Sequence, residues 1–245
     1  MLIDGEKNID DTVCSFLMIG QSNMAGRGDI GDVPRINNNE CYMLRMGRWQ
    51  KMSEPINPDR AIFEGRFRSG IGLAASFADG LSRERGIKVG LIPCADGGTE
   101  IDEWMPGTAL YEHALAMTKI AMRYSRLSGI LWHQGESDCK SEEGLLLHRG
   151  KFIQMITALR RDLGCAELPL VIGELSENIG EAWGFSDRPR RMNLAYHEIA
   201  RELPACGVAS AAGLELKNDG IHFNSLSLRS FGKRYLDVYL GLTEK

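Results

Sequence analysis

The stretch Cys14-Ser15-Phe16-Leu17-Met18-Ile19-Gly20 is a nearly unbroken apolar run that stops on a glycine. A run without polar alternation suits a strand covered on both faces, as in a parallel sheet. Further runs of strand length follow at Val89 to Cys94, Ile130 to His133 and Leu170 to Gly173, with a weaker one at Gly207 to Ala212. Helical patterns lie between them. Apolar residues recur at 71, 74, 77, 78 and 81 within Ile71 to Leu81, and Ala109 to Leu127 and Leu145 to Leu163 behave alike. Pro189 stands near the first turn of another helix running to about Leu203. The last helix follows Asn224 or Ser225, both good N-caps. This alternation predicts a three-layer α/β/α sandwich around a central parallel sheet. The 245 residues fit one domain, 1–245, and show no internal repeat, low-complexity tract or linker. Gly26 to Arg68 is the least regular segment, and loops of that length are usually functional or carry short elements of their own.

Composition narrows the function. A hydrophobic fraction of 43% and a charged fraction of 25% are ordinary for a globular protein. The net charge is −4 with scattered Lys and Arg, which points away from nucleic acid and anionic membrane as partners, since both reward a concentrated basic patch. No apolar run approaches bilayer length. The first eleven residues lack a basic and an apolar leader region, so a cytoplasmic location is expected, with a processed secreted form left open. None of the six cysteines forms a C-x-x-C pair, and Cys14, Cys94 and Cys206 lie in or beside strand-like runs, which reads as buried thiols in a reducing compartment. The residues give no indication of oligomeric state.

In a parallel sheet, chemistry collects at the carboxyl ends of the strands. After the first strand comes Gly20-Gln21-Ser22-Asn23-Met24-Ala25-Gly26, a tight turn that presents Ser22. It is not the G-x-S-x-G elbow, because Met24 stands where that motif needs glycine. After the second comes Asp96-Gly97-Gly98-Thr99, two adjacent glycines able to offer a backbone N–H to an oxyanion. The acidic residues nearby, Asp96, Glu100, Asp102 and Glu103, have no His or Cys at ligand spacing and read as solvated loop charges, so no metal or cofactor is expected. After the third comes His133-Gln134-Gly135-Glu136-Ser137-Asp138, where Gln134 could donate to an oxyanion and Glu136 and Asp138 could accept hydrogen bonds. Near the C-terminus, Asp219 and His222 stand three residues apart in a turn entering a helix, the spacing of an orienting carboxylate and its base. His222 is the leading base and His133 the reserve, because His113, His148 and His197 lie in helical patterns where surface or satisfied-core roles are the default.

Taken in order, Gln21 to Gly26, Gly97-Gly98-Thr99 with Trp104, His133 to Asp138, and Asp219-x-x-His222 resemble the conserved blocks of the SGNH (GDSL-like) hydrolase superfamily. The likeness is to its sialate O-acetylesterase and carbohydrate esterase family 6 branch. It implies a flavodoxin-like fold and metal-independent ester hydrolysis. Ser22 would be nucleophile, His222 base and Asp219 its orienter. The N–H of Ser22, that of Gly97 or Gly98, and the Gln134 side chain would form the oxyanion hole. The wider superfamily has Asn where this chain has Gln134, as the carbohydrate esterase branch does. Glu136 would support the loop or share in orienting His222. The implied substrate is a small acetylated saccharide, an acetylated xylo-oligosaccharide or an O-acetyl sialic acid. Trp104, Trp183 and Trp49 lie in loop-like segments and are read either as sugar-stacking faces or as buried packing. Two alternatives stand beside this reading: an SGNH enzyme acting on a non-carbohydrate acyl ester or thioester, and a non-catalytic sugar-binding protein.

Overall fold

A computed structural model describes residues 13–58 and 68–244. The N-terminal stretch read for a leader, and 59–67 of the irregular segment, lie outside the described residues. The element order is β1 (Val13–Gly20), α1 (Ser22–Ala25), β2 (Cys41–Arg45), β3 (Arg48–Lys51), α2 (Ala74–Arg85), β4 (Lys88–Pro93), α3 (Ala109–Ala121) and β5 (Arg126–His133). It continues with α4 (Glu142–Asp162), β6 (Leu170–Gly173), α5 (Ile179–Ala182), α6 (Arg188–Glu202), β7 (Cys206–Ala209) and α7 (Ser225–Thr243). The strands form one seven-stranded sheet in the order β3-β2-β4-β1-β5-β6-β7. Every pairing is parallel except that of β2 with β3.

All eight residues of β1 are buried, because helices cover both faces of the sheet. Phe16 and Met18 join the core formed with α2 and α7, whereas Leu17 and Ile19 join the core formed with α3, α4 and α6. The strand alternates between two hydrophobic layers, so the period of two is invisible as polarity. This is the α/β/α sandwich expected from the sequence.

The irregular segment carries short elements of its own, as one of its two readings has it, and one helix end is corrected. The irregular segment contains β2 and β3, joined through Met46 and Gly47, both at positive φ. A two-residue turn of that kind matches the twist of a hairpin, but Met46 in place of Asn or Asp hides it in the sequence. The helix expected over 109–127 stops at Ala121, and Arg126 and Leu127 already belong to β5. Ser125 explains the break: its buried hydroxyl donates to the Ala121 carbonyl at 2.8 Å and lies 2.9 Å from the Ser15 hydroxyl on β1. Elsewhere Asn224 is the N-cap of α7, accepting from the Ser227 N–H.

The chain order reverses around β1, which lies between β4 and β5. The carboxyl ends of these three strands therefore border one crevice, the position such sheets use for ligands. The layer over α2 and α7 depends on a close helix approach. A Cβ on Gly232 of α7 would lie 2.0 Å from the Leu73 carbonyl oxygen and 2.2 Å from the Ser76 hydroxyl. Gly232→Ala should therefore cost about 1–3 kcal/mol through forced backbone displacement, read as a lowered urea midpoint at unchanged slope.

Candidate active site

Ser22 begins α1 directly after β1 and is 6% exposed. The turn forms because Gly20 adopts φ +123°, a conformation that L side chains rarely take. The adjoining Gln21 N–H donates to the His133 carbonyl at 2.8 Å, which locks the turn to the end of β5. The main-chain bonds of the turn come from Gln21, Met24, Ala25 and Gly26, and leave the Ser22 N–H out of the ladder.

His222 reaches Ser22 from the far end of the chain. Its Nε2 lies 2.9 Å from Ser22 Oγ, and its Nδ1 lies 2.9 Å from Asp219 Oδ2. The other Asp219 oxygen accepts the N–H groups of His222 and Ile221 at 2.9 and 3.0 Å. Burial alone would raise the Asp219 carboxyl. The two N–H groups and the imidazole outweigh it and hold the carboxyl below the usual carboxylate range. With Nδ1–H on the carboxylate, Nε2 is free to take the serine proton, as a base oriented by an acid requires. Trp183 supports this turn from outside, its indole N–H donating to the Asp219 carbonyl at 2.9 Å.

Glu136 and Asn23 bring the two loops together. Glu136 is buried, and its Oε2 accepts from Gln21 Nε2 at 2.6 Å while its Oε1 accepts from Asn23 Nδ2 at 2.7 Å. Asn23 also donates to the Ile221 carbonyl at 3.2 Å and accepts from the Phe223 N–H at 3.1 Å. The neighbour of the nucleophile thus grips the residues on both sides of His222. Glu136 supports the loops and does not touch His222 through any of these bonds. Sequence reasoning missed Gln21 and Asn23, whose signal was an amide on each side of a strand-end serine.

His133, the reserve base, is fully buried and does not face Ser22. Its Nε2 lies 3.2 Å from the Glu174 carbonyl, and Phe223 and Phe231 pack edge-on against its ring. Burial lowers its pKa despite the nearby Glu136, so it is a neutral wall residue.

Of the two glycines, Gly97 adjoins the nucleophile. A Cβ on it would lie 3.5 Å from Ser22 Cβ and 2.6 Å from Arg27 Nη2, whereas one on Gly98 would meet nothing within 4 Å. Gln134, expected at the oxyanion, has its amide hydrogens directed at other acceptors. Its side chain is fully buried, and its amide nitrogen donates to the Thr99 carbonyl at 2.8 Å and to Asp138 Oδ2 at 2.5 Å. An amide has two hydrogens, so both are engaged. The structure gives Gln134 the place of a strut behind the glycine loop.

The tryptophans divide. Trp104 is 1% exposed, packs edge-on against Trp132 and donates to Thr99 Oγ1, which is core packing. Trp49 lies on β3 with its ring against Gly90, and so on a strand rather than a loop. Trp183 is 50% exposed and stands beside the Asp219–His222 turn. In the acidic stretch, Glu100 and Glu103 form a capping box over the 3-10 turn Ile101–Trp104, and Asp102 pairs with Lys151. Among the described residues, no group of three or more His, Cys, Asp or Glu could hold a metal ion, and no helix is long and apolar enough to cross a membrane. The six cysteines are unpaired, and burial pushes the Cys94 and Cys206 thiols up to about 12.

Known proteins resemble this chain over nearly its whole length. Residues 12–241 match the family model described as carbohydrate esterase, sialic acid-specific acetylesterase. A probable carbohydrate esterase from Arabidopsis thaliana is 30% identical over 92% of this chain and 89% of its own length. An Arabidopsis thaliana crystal structure superposes with a TM-score of 0.82 at 25% identity, covering 94% of this chain and 98% of that one. NanS shares the fold with a TM-score of 0.76 at 16% identity, over 94% of this chain and 97% of its own. A lipase/acylhydrolase structure from Enterococcus faecalis shares it more distantly, at a TM-score of 0.54 and 12% identity, over 92% of this chain and 93% of that one.

Asp219→Asn tests the orienting contact. An amide cannot hold Nδ1–H and accept both N–H groups equally well, so kcat for ester hydrolysis should fall on the order of 10³–10⁴-fold with the circular dichroism spectrum unchanged. The lowered folded pKa of Asp219 places its stabilising contribution above the unfolded value, and it is lost as pH falls through the folded one. The stability gap between wild type and Asp219→Asn should therefore close on acidification, measured by urea unfolding at successive pH values.

Proposed function

The chain belongs to the carbohydrate esterase, sialic acid-specific acetylesterase family and is a carboxylic ester hydrolase, and from that premise we propose that it removes O-acetyl groups from small saccharides through an acetyl-serine intermediate on Ser22. The observation that carries the reading is the line Asp219–His222–Ser22, with 2.9 Å contacts on both imidazole nitrogens.

Ser22 Oγ attacks the acetyl carbonyl as its proton passes to His222 Nε2. Negative charge collects on the carbonyl oxygen, where the N–H groups of Ser22 and Gly97 receive it. The intermediate collapses, the C–O bond to the sugar breaks, and His222 returns the proton to the departing hydroxyl. Water then attacks the acetyl-serine with His222 again as base, releasing acetate and regenerating Ser22. Asp219 keeps one imidazole nitrogen protonated and stabilises the cation formed in each half.

The short acyl group is supported by the match of residues 12–241 to the carbohydrate esterase, sialic acid-specific acetylesterase family. The sugar side is supported by Trp183, whose half-exposed indole beside Asp219 offers an apolar face for a pyranose ring. Acetylated xylo-oligosaccharides and O-acetyl sialic acids are the substrates of choice for a test.

Acetate release from that panel should be abolished in Ser22→Ala, a loss of about 10⁴-fold or more. On nitrophenyl esters the acetyl ester should be hydrolysed well ahead of butyrate and octanoate. Undiminished turnover in Ser22→Ala, or a flat acyl-length series, would refute the assignment.

A further inference from the structure

A buried carboxylate–imidazole pair adjoins the glycine loop through Asp138. Asp138, in the 3-10 turn Asp138–Lys140, and His148 of α4 have side chains 2% and 0% exposed, with His148 Nδ1 3.5 Å from Asp138 Oδ2. That separation is long for a hydrogen bond, so the two side chains are in contact without a short directional bond. The His148 ring stacks on Phe152 and meets Tyr196 edge-on, and among the described residues neither ring nitrogen has a hydrogen-bond partner.

Asp138 directs its own bonds at the oxyanion loop. Oδ1 accepts the Ile101 N–H at 3.2 Å, and Oδ2 accepts Gln134 Nε2 at 2.5 Å. Gln134 carries the connection to the Thr99 carbonyl at 2.8 Å. Thr99 Oγ1 in turn donates to the Asp96 carbonyl at 2.8 Å and accepts the Trp104 indole N–H at 3.0 Å. Asp96, Thr99 and Ile101, which flank Gly97 on both sides, are thereby referred to one buried carboxylate.

We propose that Asp138 is a positioning residue for the Gly97 oxyanion donor, acting through Gln134 and Ile101, and that His148 is the basic side chain that seats it. A backbone donor stabilises a transition state only if it is already aimed at the developing charge. A displacement of about 1 Å costs on the order of 100-fold. A carboxylate is costly to bury and is retained where its partners fix it. The inference rests on the esterase reading above.

The test compares wild type, Asp138→Asn, His148→Gln and Ser22→Ala. Active sites are counted with a fluorophosphonate that labels Ser22, so that unfolded protein is excluded from kcat. Asp138→Asn turns one acceptor into an amide group facing a donor. It should lower kcat per titrated site by about 10- to 100-fold with KM changed less than about twofold. His148→Gln should move kcat in the same direction by about three- to tenfold, again without KM. A merely structural role would lower the melting temperature and the titrated fraction while leaving kcat per site within about twofold of wild type, and that result overturns the proposal. Should Asp138→Asn not fold, the same ratio in His148→Gln decides. Turnover that persists in Ser22→Ala sinks the esterase reading itself. Turnover lost there but unaltered per site in the other two variants sinks only the positioning role.

Discussion

The site depends on one buried side chain. Glu136 sits where water cannot solvate it, and its two oxygens are satisfied by the amides of Gln21 and Asn23. A carboxylate in that setting is costly unless its partners are well placed, so the requirement runs both ways. The carboxylate needs the amides, and the amides bracket Ser22. Asn23 extends the same constraint to Ile221 and Phe223, some 200 positions away. The contact between Ser22 and His222 is therefore the last link of a chain of directional bonds that begins in the core.

The machinery divides into a dry rear and a wet front. Behind the reacting atoms, Glu136, Gln134, Asp138, His133 and His148 are all nearly or fully buried. In front, the Asp219 side chain is 40% exposed and that of His222 is 19% exposed. Rigidity comes from the rear, where polar groups have few alternative partners. The front stays open to solvent. Asp219 keeps its charge there because backbone N–H groups do what solvent would otherwise do.

Much of this was legible in the residues, for identifiable reasons. β1 and β4 to β7 declare themselves because strands covered on both faces must be apolar throughout. β2 and β3 do not, since β3 is an exposed edge strand of mixed polarity, and the Met46-Gly47 turn carries a weak signal. Ser22, Asp219 and His222 stand at strand or helix ends, where side chains of that type have few packing roles. Gln134 was read by its chemistry alone, and only the coordinates reveal that both of its hydrogens are engaged. His148 was set aside as one histidine in a helix. Its phase offered a better clue: it falls with Leu145, Phe152, Met155 and Leu159 on the buried face of α4, where an ionisable ring needs a reason. Trp104 stayed open between stacking and packing because it belongs to a 3-10 turn, an element with no clear periodic signature.

Gly20 has a consequence for how this sequence tolerates change. The obstacle to any side chain there is main chain: a Cβ would lie 2.1 Å from the His133 carbonyl oxygen and 2.6 Å from its carbon. That carbonyl is also the acceptor for Gln21 N–H. Crowding between side chains is relieved by trimming a neighbour elsewhere, but a backbone atom has no smaller version. No compensating substitution in the surroundings will open position 20 to another residue. In a mutational library it should remain monomorphic, although glycine offers no side chain to any chemistry at Ser22 two residues on.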